Sequence, residues 1–238
     1  MLTGSFIPRS ACLCLCILIL LAESSGQEQK STAEADKNAE VTDTTDLVKI
    51  PRISSPVNLD GRINEPAWQE IEPFSLTVQR PVFGMEPTNP TEIRMAFDDD
   101  YVYAAGHFYD SEPEKIQAPY RKRDNIGLSS DWFWLGLDCF NDNENALVFM
   151  TAPSGLRVDY TIFNDGVGMA SFNISWDTFW DVATVRNDSG WFAEMRVPVS
   201  SLRFRKKTGD AVMGMVVGRT TARKPKIVVY AAIPYNWG

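Results

Sequence analysis

The chain has 238 residues, 44% of them apolar and 11% aromatic, with 23 Lys and Arg against 31 Asp and Glu for a formal net charge of -8. That acidic balance excludes nucleic acid as a partner, because a polyphosphate backbone demands a basic face. The apolar and aromatic content excludes disorder over the main body. In chain order, the first residues read as an export leader: basic Arg9, an apolar run from Ala11 to Ala22, then the small polar stretch Ser24, Ser25, Gly26. The run is about a dozen residues, short of the roughly 20 that a spanning helix needs. A signal peptide over 1–26 with removal near Gly26 or Gln27 is therefore expected, and with it a periplasmic, outer-membrane or extracellular location. Cys12, Cys14 and Cys16 lie in the apolar run, so Cys139 is the one cysteine left after cleavage and the mature chain can form no intrachain disulfide.

Residues 27–46 are Ser, Thr, Ala, Glu, Asp, Lys and Asn with almost no large apolar side chain, which predicts a flexible linker. From Leu47 short apolar runs alternate with Asp, Asn, Gly and Pro clusters, the grammar of strands and turns. Ile93, Met95 and Phe97 alternate with Glu92 and Arg94, the turn Asp98, Asp99, Asp100 follows, and Tyr101 to Tyr109 returns, a hairpin. The pattern recurs at Asp131–Asp138 with Ala146–Ala152, and at Val182–Arg186 with Trp191–Val197. Helical signals are confined to two short turns, one at Pro66 carrying Ala67 and Trp68, the other at Pro198–Leu202. The fold class expected for 47–238 is an all-β, antiparallel β-sandwich.

His107, the one histidine, sits mid-strand and reads as a packed or edge residue. Without a second histidine or mature cysteine, a His-rich zinc site and a Cys cluster are excluded, and no catalytic residue is assigned. Asp98, Asp99, Asp100 and Asp110 are candidate calcium ligands, with Asp138 and Asp142 a second set, since turn aspartates can supply the all-oxygen shell that calcium prefers. As solvated turn residues they need no metal, and that is the simpler account. Trp132 and Trp134 share one strand face opposite Phe133, Leu135 and Leu137, so only a second covering layer would bury both faces. Trp176 and Trp180 stand in the polar segment Asn173-Ile-Ser-Trp-Asp-Thr-Phe-Trp-Asp181. An indole beside Asn173 and Asp177 is how a protein stacks a sugar ring while bonding its hydroxyls, and Arg123 with Asp124 offers a second polar clamp. The plainer alternative is that the two tryptophans are core corners.

Asn58-Leu-Asp-Gly-Arg-Ile-Asn-Glu-Pro-Ala-Trp68, the Phe97-Asp-Asp turn before Tyr101-Val-Tyr103, the strand from Asp131 to Asp138, and Gly190-Trp-Phe-Ala-Glu194 running into Val197-Pro198 together resemble the family 9 carbohydrate-binding module over most of 47–238. Arg121-Lys-Arg-Asp124, Asp138-Cys-Phe-Asn-Asp142, Ala152-Pro-Ser-Gly155 and Ser201-Leu-Arg-Phe204 are similar to a branch at the N-terminus of large bacterial outer-membrane proteins. The resemblance implies a glycan-binding sandwich linked to polysaccharide catabolism, calcium as its one candidate cofactor, structural roles for Trp68 and Trp191, and a membrane β-barrel segment beyond Gly238 of which this sequence is a truncated member. Two alternatives follow from it: a structural domain of that barrel protein, or part of a glycoside hydrolase working with two carboxylates.

Overall fold

The computed structural model describes the backbone of residues 4–8, then residues 48–204 and 211–230. The apolar leader run, the linker and the chain end after 230 lie outside the described residues. In order the strands are β1 (Gly4–Pro8), β2 (Val48–Lys49), β3 (Thr77–Arg80), β4 (Thr91–Phe97), β5 (Tyr101–Tyr109), β6 (Trp132–Asp138), β7 (Ala146–Thr151), β8 (Arg157–Ile162), β9 (Phe172–Asn173), β10 (Asp181–Asn187), β11 (Gly190–Pro198), β12 (Ala211–Thr221) and β13 (Lys226–Tyr230). The three predicted hairpins are β4–β5, β6–β7 and β10–β11. The two predicted turns are a four-residue helix α1 (Pro66–Gln69) and a 3-10 turn at Val199–Ser201.

These strands form two sheets. The larger runs β2-β1-β12-β6-β7-β8-β9, with β13 and then β3 beside the second half of β12, and the smaller runs β10-β11-β5-β4. β1 is parallel to β12, and the other named pairs are antiparallel. The chain is thus an antiparallel β-sandwich with one parallel pair. Between the sheets lies the main core: Ile93, Met95 and Phe97 of β4, Val102 and Phe108 of β5, and Trp191, Met195 and Val197 of β11 face Phe133, Leu135 and Leu137 of β6 and Met213, Met215 and Val217 of β12.

Each outer face carries a further layer. On the larger sheet Trp132 and Trp134 join Val148, Met150, Val158 and Tyr160 under Tyr120 and Ile126 of the β5–β6 connection. This loop is why β6 is buried on both faces. On the smaller sheet Ala96, Tyr103 and Ala105 are covered by Ile53, Ala67 and Trp68. Trp68 and Trp191 are both fully buried, in keeping with structural roles.

One hydrogen-bonded knot fixes the second layer and unites two of the motifs quoted above. Glu194 faces outward from β11 yet is fully buried. Its Oε1 accepts Trp68 Nε1–H at 2.9 Å, and its Oε2 accepts the backbone N–H of Gly61 at 2.9 Å and of Asp60 at 3.2 Å. Gly61 has φ +80°, and a Cβ there would stand 2.9 Å from the Thr184 backbone of β10, so a side chain would push the loop off its acceptor.

β1 lies within the residues expected to be a leader, and cleavage near Gly26 would remove the strand between β2 and β12. A chain starting at Gln27 is expected to keep the sandwich and lose about 1–3 kcal/mol, the value of a few ladder hydrogen bonds. Thermal unfolding of the two chains checks this, and equal melting would show that β1 contributes nothing.

Candidate functional site

Facing the smaller sheet's side, the register places Leu135, Phe149 and Asp159 in one row across β6, β7 and β8, and Leu137, Leu147 and Thr161 in the next. The segment 174–180 lies over this part of the larger sheet: Trp176 and Trp180 both meet Phe149 edge-on, with ring centroids 6.2 and 5.5 Å away. Trp180 is 0% exposed and belongs to the main core. Its Nε1–H donates to Asp159 Oδ1 at 3.1 Å, so it has no ring face to offer a ligand, which corrects the expectation of a stacking pair. Trp176 is only half-buried.

The polar residues expected around the tryptophans do converge, but on one another. Arg123 reaches buried Asp159 at 2.5 Å, Asp177 at 2.8 Å and Asp124 at 3.4 Å. Asp159 Oδ2 accepts Thr178 N–H at 2.8 Å. The cluster is a latch that holds the β5–β6 connection and the segment 174–180 against β8. Asn173 stands apart, an exposed residue of β9 paired with Thr161, and its Oδ1 accepts Ser175 N–H at 3.1 Å. Arg123 is partly exposed while Asp159 is buried, so Arg123→Ala, which strips a donor from that carboxylate, is expected to destabilise the fold by about 1–3 kcal/mol, measurable by urea unfolding. A loss near zero would mean that the latch is solvated.

The candidate site is a cleft of about 520 Å³ beside Trp176, at the end of the sandwich where β6, β7 and β8 stop. Leu137, Cys139, Ala146, Leu147 and Ile162 give it apolar walls; Trp176, Phe140 and Phe163 give aromatic ones; Asn145, Thr161, Ser201 and Arg203 are its polar groups. Phe140 and Phe163 are 45% and 44% exposed. Thr161 is only 5% exposed, and its Oγ1 is buried with no hydrogen-bond partner among the described residues. Cys139 is a buried free thiol, pushed up to about 12 by burial, so it contributes an apolar wall and no nucleophile. Of these residues sequence reasoning placed only Trp176 in a site, but the segments Asp138–Asp142 and Ser201–Phe204, which carried the finer resemblance, supply Cys139, Phe140, Ser201 and Arg203.

The turn aspartates do not fit calcium. Asp98 and Asp110 flank opposite ends of β5, separated by roughly 27 Å of strand. Asp98 accepts Asp100 N–H, Tyr101 N–H and the Tyr103 hydroxyl at 2.7–2.8 Å, Asp99 pairs with Arg52, and Asp110 pairs with Arg223 at 2.6 Å. Asp138 accepts the N–H groups of Asp142 and Asn143, while Asp142 accepts those of Glu144 and Asn145, closing the β6–β7 loop. Among the described residues, two other groups bring three carboxylate oxygens within 4.8 Å of one another: Asp124, Asp159 and Asp177, where Arg123 already supplies the positive charge, and Asp60, Glu65 and Glu194. In the last, Glu65 Oε2 is buried and unpartnered, but both Glu194 oxygens already accept N–H groups.

His107 lies on the outer face of the smaller sheet, its ring centroid 3.5 Å from that of Tyr109 and 3.9 Å from that of Phe192, with Nε2 3.0 Å from Ser189 Oγ. Burial holds it down to about 4, so it is neutral at pH 7.

No family model matches the sequence, and no curated protein matches it. Among solved structures, the chain is similar to a family 9 carbohydrate-binding module from Caldicellulosiruptor kristjanssonii in complex with cellotriose, at a TM-score of 0.49 and 14% identity over 76% of this chain and 80% of that one. A module of the same family and organism in complex with glucose gives a TM-score of 0.45 at 14% identity, over 76% of this chain and 82% of that one.

Proposed function

We propose that the protein is an exported, non-catalytic carbohydrate-binding module whose ligand lies in the cleft beside Trp176. The observation that carries this reading is the Thr161 hydroxyl, buried and unpartnered in the wall of a cleft bounded by Trp176, Phe140 and Phe163. A buried hydroxyl without a partner costs about 1–3 kcal/mol, and a ligand that brings its own hydroxyls relieves that cost. A sugar has the complementary surface: apolar C–H faces for the aromatic walls and hydroxyls for Thr161, Asn145 and Ser201. The cleft's volume falls within the range of about 300–1,000 Å³ that small-ligand sites occupy.

In this reading the module retains polysaccharide for use elsewhere and performs no chemistry. No described residue lining the cleft is Asp or Glu, so hydrolysis by paired carboxylates has no acid and base there. The test is isothermal titration of the chain against a panel of soluble oligosaccharides, with and without calcium. Saturable heat is expected from at least one sugar. Silence across the panel from a folded sample would overturn the proposal and favour a purely structural domain.

A further inference from the structure

We propose that the sugar bound in this cleft carries an oxyanion, either a uronate carboxylate or a sulfate ester, and that Arg203 selects it. The inference rests on the cleft being the sugar site and adds the chemical class of the ligand.

Charge around the cleft is the first observation. Asp and Glu account for 31 of the 238 residues, yet none lines the cleft among the described residues, and Arg203 is the one charged side chain that does. Seven described arginines hold a carboxylate within 4.0 Å. Arg203 holds none and makes no hydrogen bond with the described residues. On an acidic protein, a guanidinium left uncompensated at the mouth of an apolar cleft is a localised attraction for an anion.

The donors available to a ligand are the second observation. Ser201 Oγ–H already donates to Phe179 O at 3.0 Å, and Asn145 Nδ2 already donates to Asp142 Oδ2 at 2.9 Å. Among the described residues, Arg203 and the Thr161 hydroxyl are the lining side-chain donors with no partner. A neutral sugar would leave the arginine's planar fork without a matching acceptor, whereas a carboxylate or sulfate takes two parallel N–H bonds from it. The aromatic walls then stack the pyranose ring while Thr161 meets a ring hydroxyl.

Titration calorimetry with four probes tests this: tri-galacturonate, its methyl ester, a sulfated galactose trisaccharide and cellotriose, against the full chain and its Arg203→Gln and Trp176→Ala variants. At least one anionic probe is expected to bind about tenfold to a hundredfold more tightly than the neutral ones, the value of one charge-assisted hydrogen-bond pair. Arg203→Gln should bring the anionic and neutral probes to equal affinity, while Trp176→Ala should weaken every probe. The uronate and sulfate arms identify which oxyanion is read. Equal affinity for the acid and its methyl ester together with no sulfate preference, or a preference that survives Arg203→Gln, would overturn the oxyanion assignment while the sugar site stands. No binding of any probe to folded protein would overturn both.

Discussion

Replacing Trp180 by alanine is expected to cost about 4 kcal/mol of stability, whereas Trp176→Ala leaves the fold within about 1 kcal/mol and removes sugar binding. The two indoles are four residues apart and touch the same phenyl ring, but their surroundings differ. Trp180 is enclosed in the main core and donates to buried Asp159, so its loss opens a large cavity and withdraws a hydrogen bond from a charge. Trp176 packs on the margin of that core and lines the cleft, so its loss chiefly removes a ligand surface. In a domain of this size 1 kcal/mol moves the melting temperature by roughly 2–4 °C, and circular dichroism melts will therefore separate the variants by roughly 10 °C. Binding by calorimetry should fall at least about tenfold for Trp176→Ala. If Trp176→Ala melts as low as Trp180→Ala, Trp176 is a core residue and the cleft loses its principal wall.

The second large effect is expected at Glu194. Glu194→Ala strands three donors, the indole N–H of Trp68 and the amides of Gly61 and Asp60, and is expected to cost about 3 kcal/mol or more. The carboxyl also links stability to pH. Burial raises it from 4.5 to about 7, outweighing the hydrogen bonds from Trp68, Gly61 and Asp60 that pull it down. The folded chain therefore holds this proton more tightly than the unfolded chain. The corresponding stabilisation is full below about 4.5 and is lost as pH rises through about 7. Glu194→Gln keeps the shape and one acceptor but cannot titrate. Melting temperatures taken from pH 4.5 to 8 should fall more steeply for the wild type than for Glu194→Gln, and parallel profiles would show that Glu194 stays ionised throughout.

The hairpins were legible in the sequence because period-two alternation and Asp- or Asn-rich turns are local. What lay beyond it depends on layers added from distant segments. Trp132 and Phe133 stand on opposite faces of β6, and nothing in the strand itself names the β5–β6 connection as the cover. Asp159 shows the same limit more sharply. Nothing in Arg157-Val-Asp-Tyr-Thr161 marks the aspartate as buried, but Val158 and Tyr160 pack under the loop while Asp159 points between the layers, where Arg123 and Thr178 meet it. The cleft was legible only at Trp176. Phe140, Phe163 and Arg203 come from three separate connections, and their meeting is a property of where β6, β8 and the turn after β11 end in space.

The knot around Glu194 has a consequence for how this fold changes over generations. Gly61, Trp68 and Glu194 lie up to 133 residues apart, yet none can be exchanged without leaving a donor, an acceptor or a backbone contact unmatched. A glutamate lost from β11 strands two amides and an indole, and a side chain gained at Gly61 lifts both amides from a carboxylate that then lies buried with fewer partners. Substitutions here survive only in concert, so drift should erode the rest of the sandwich while this widely spaced trio persists as a unit.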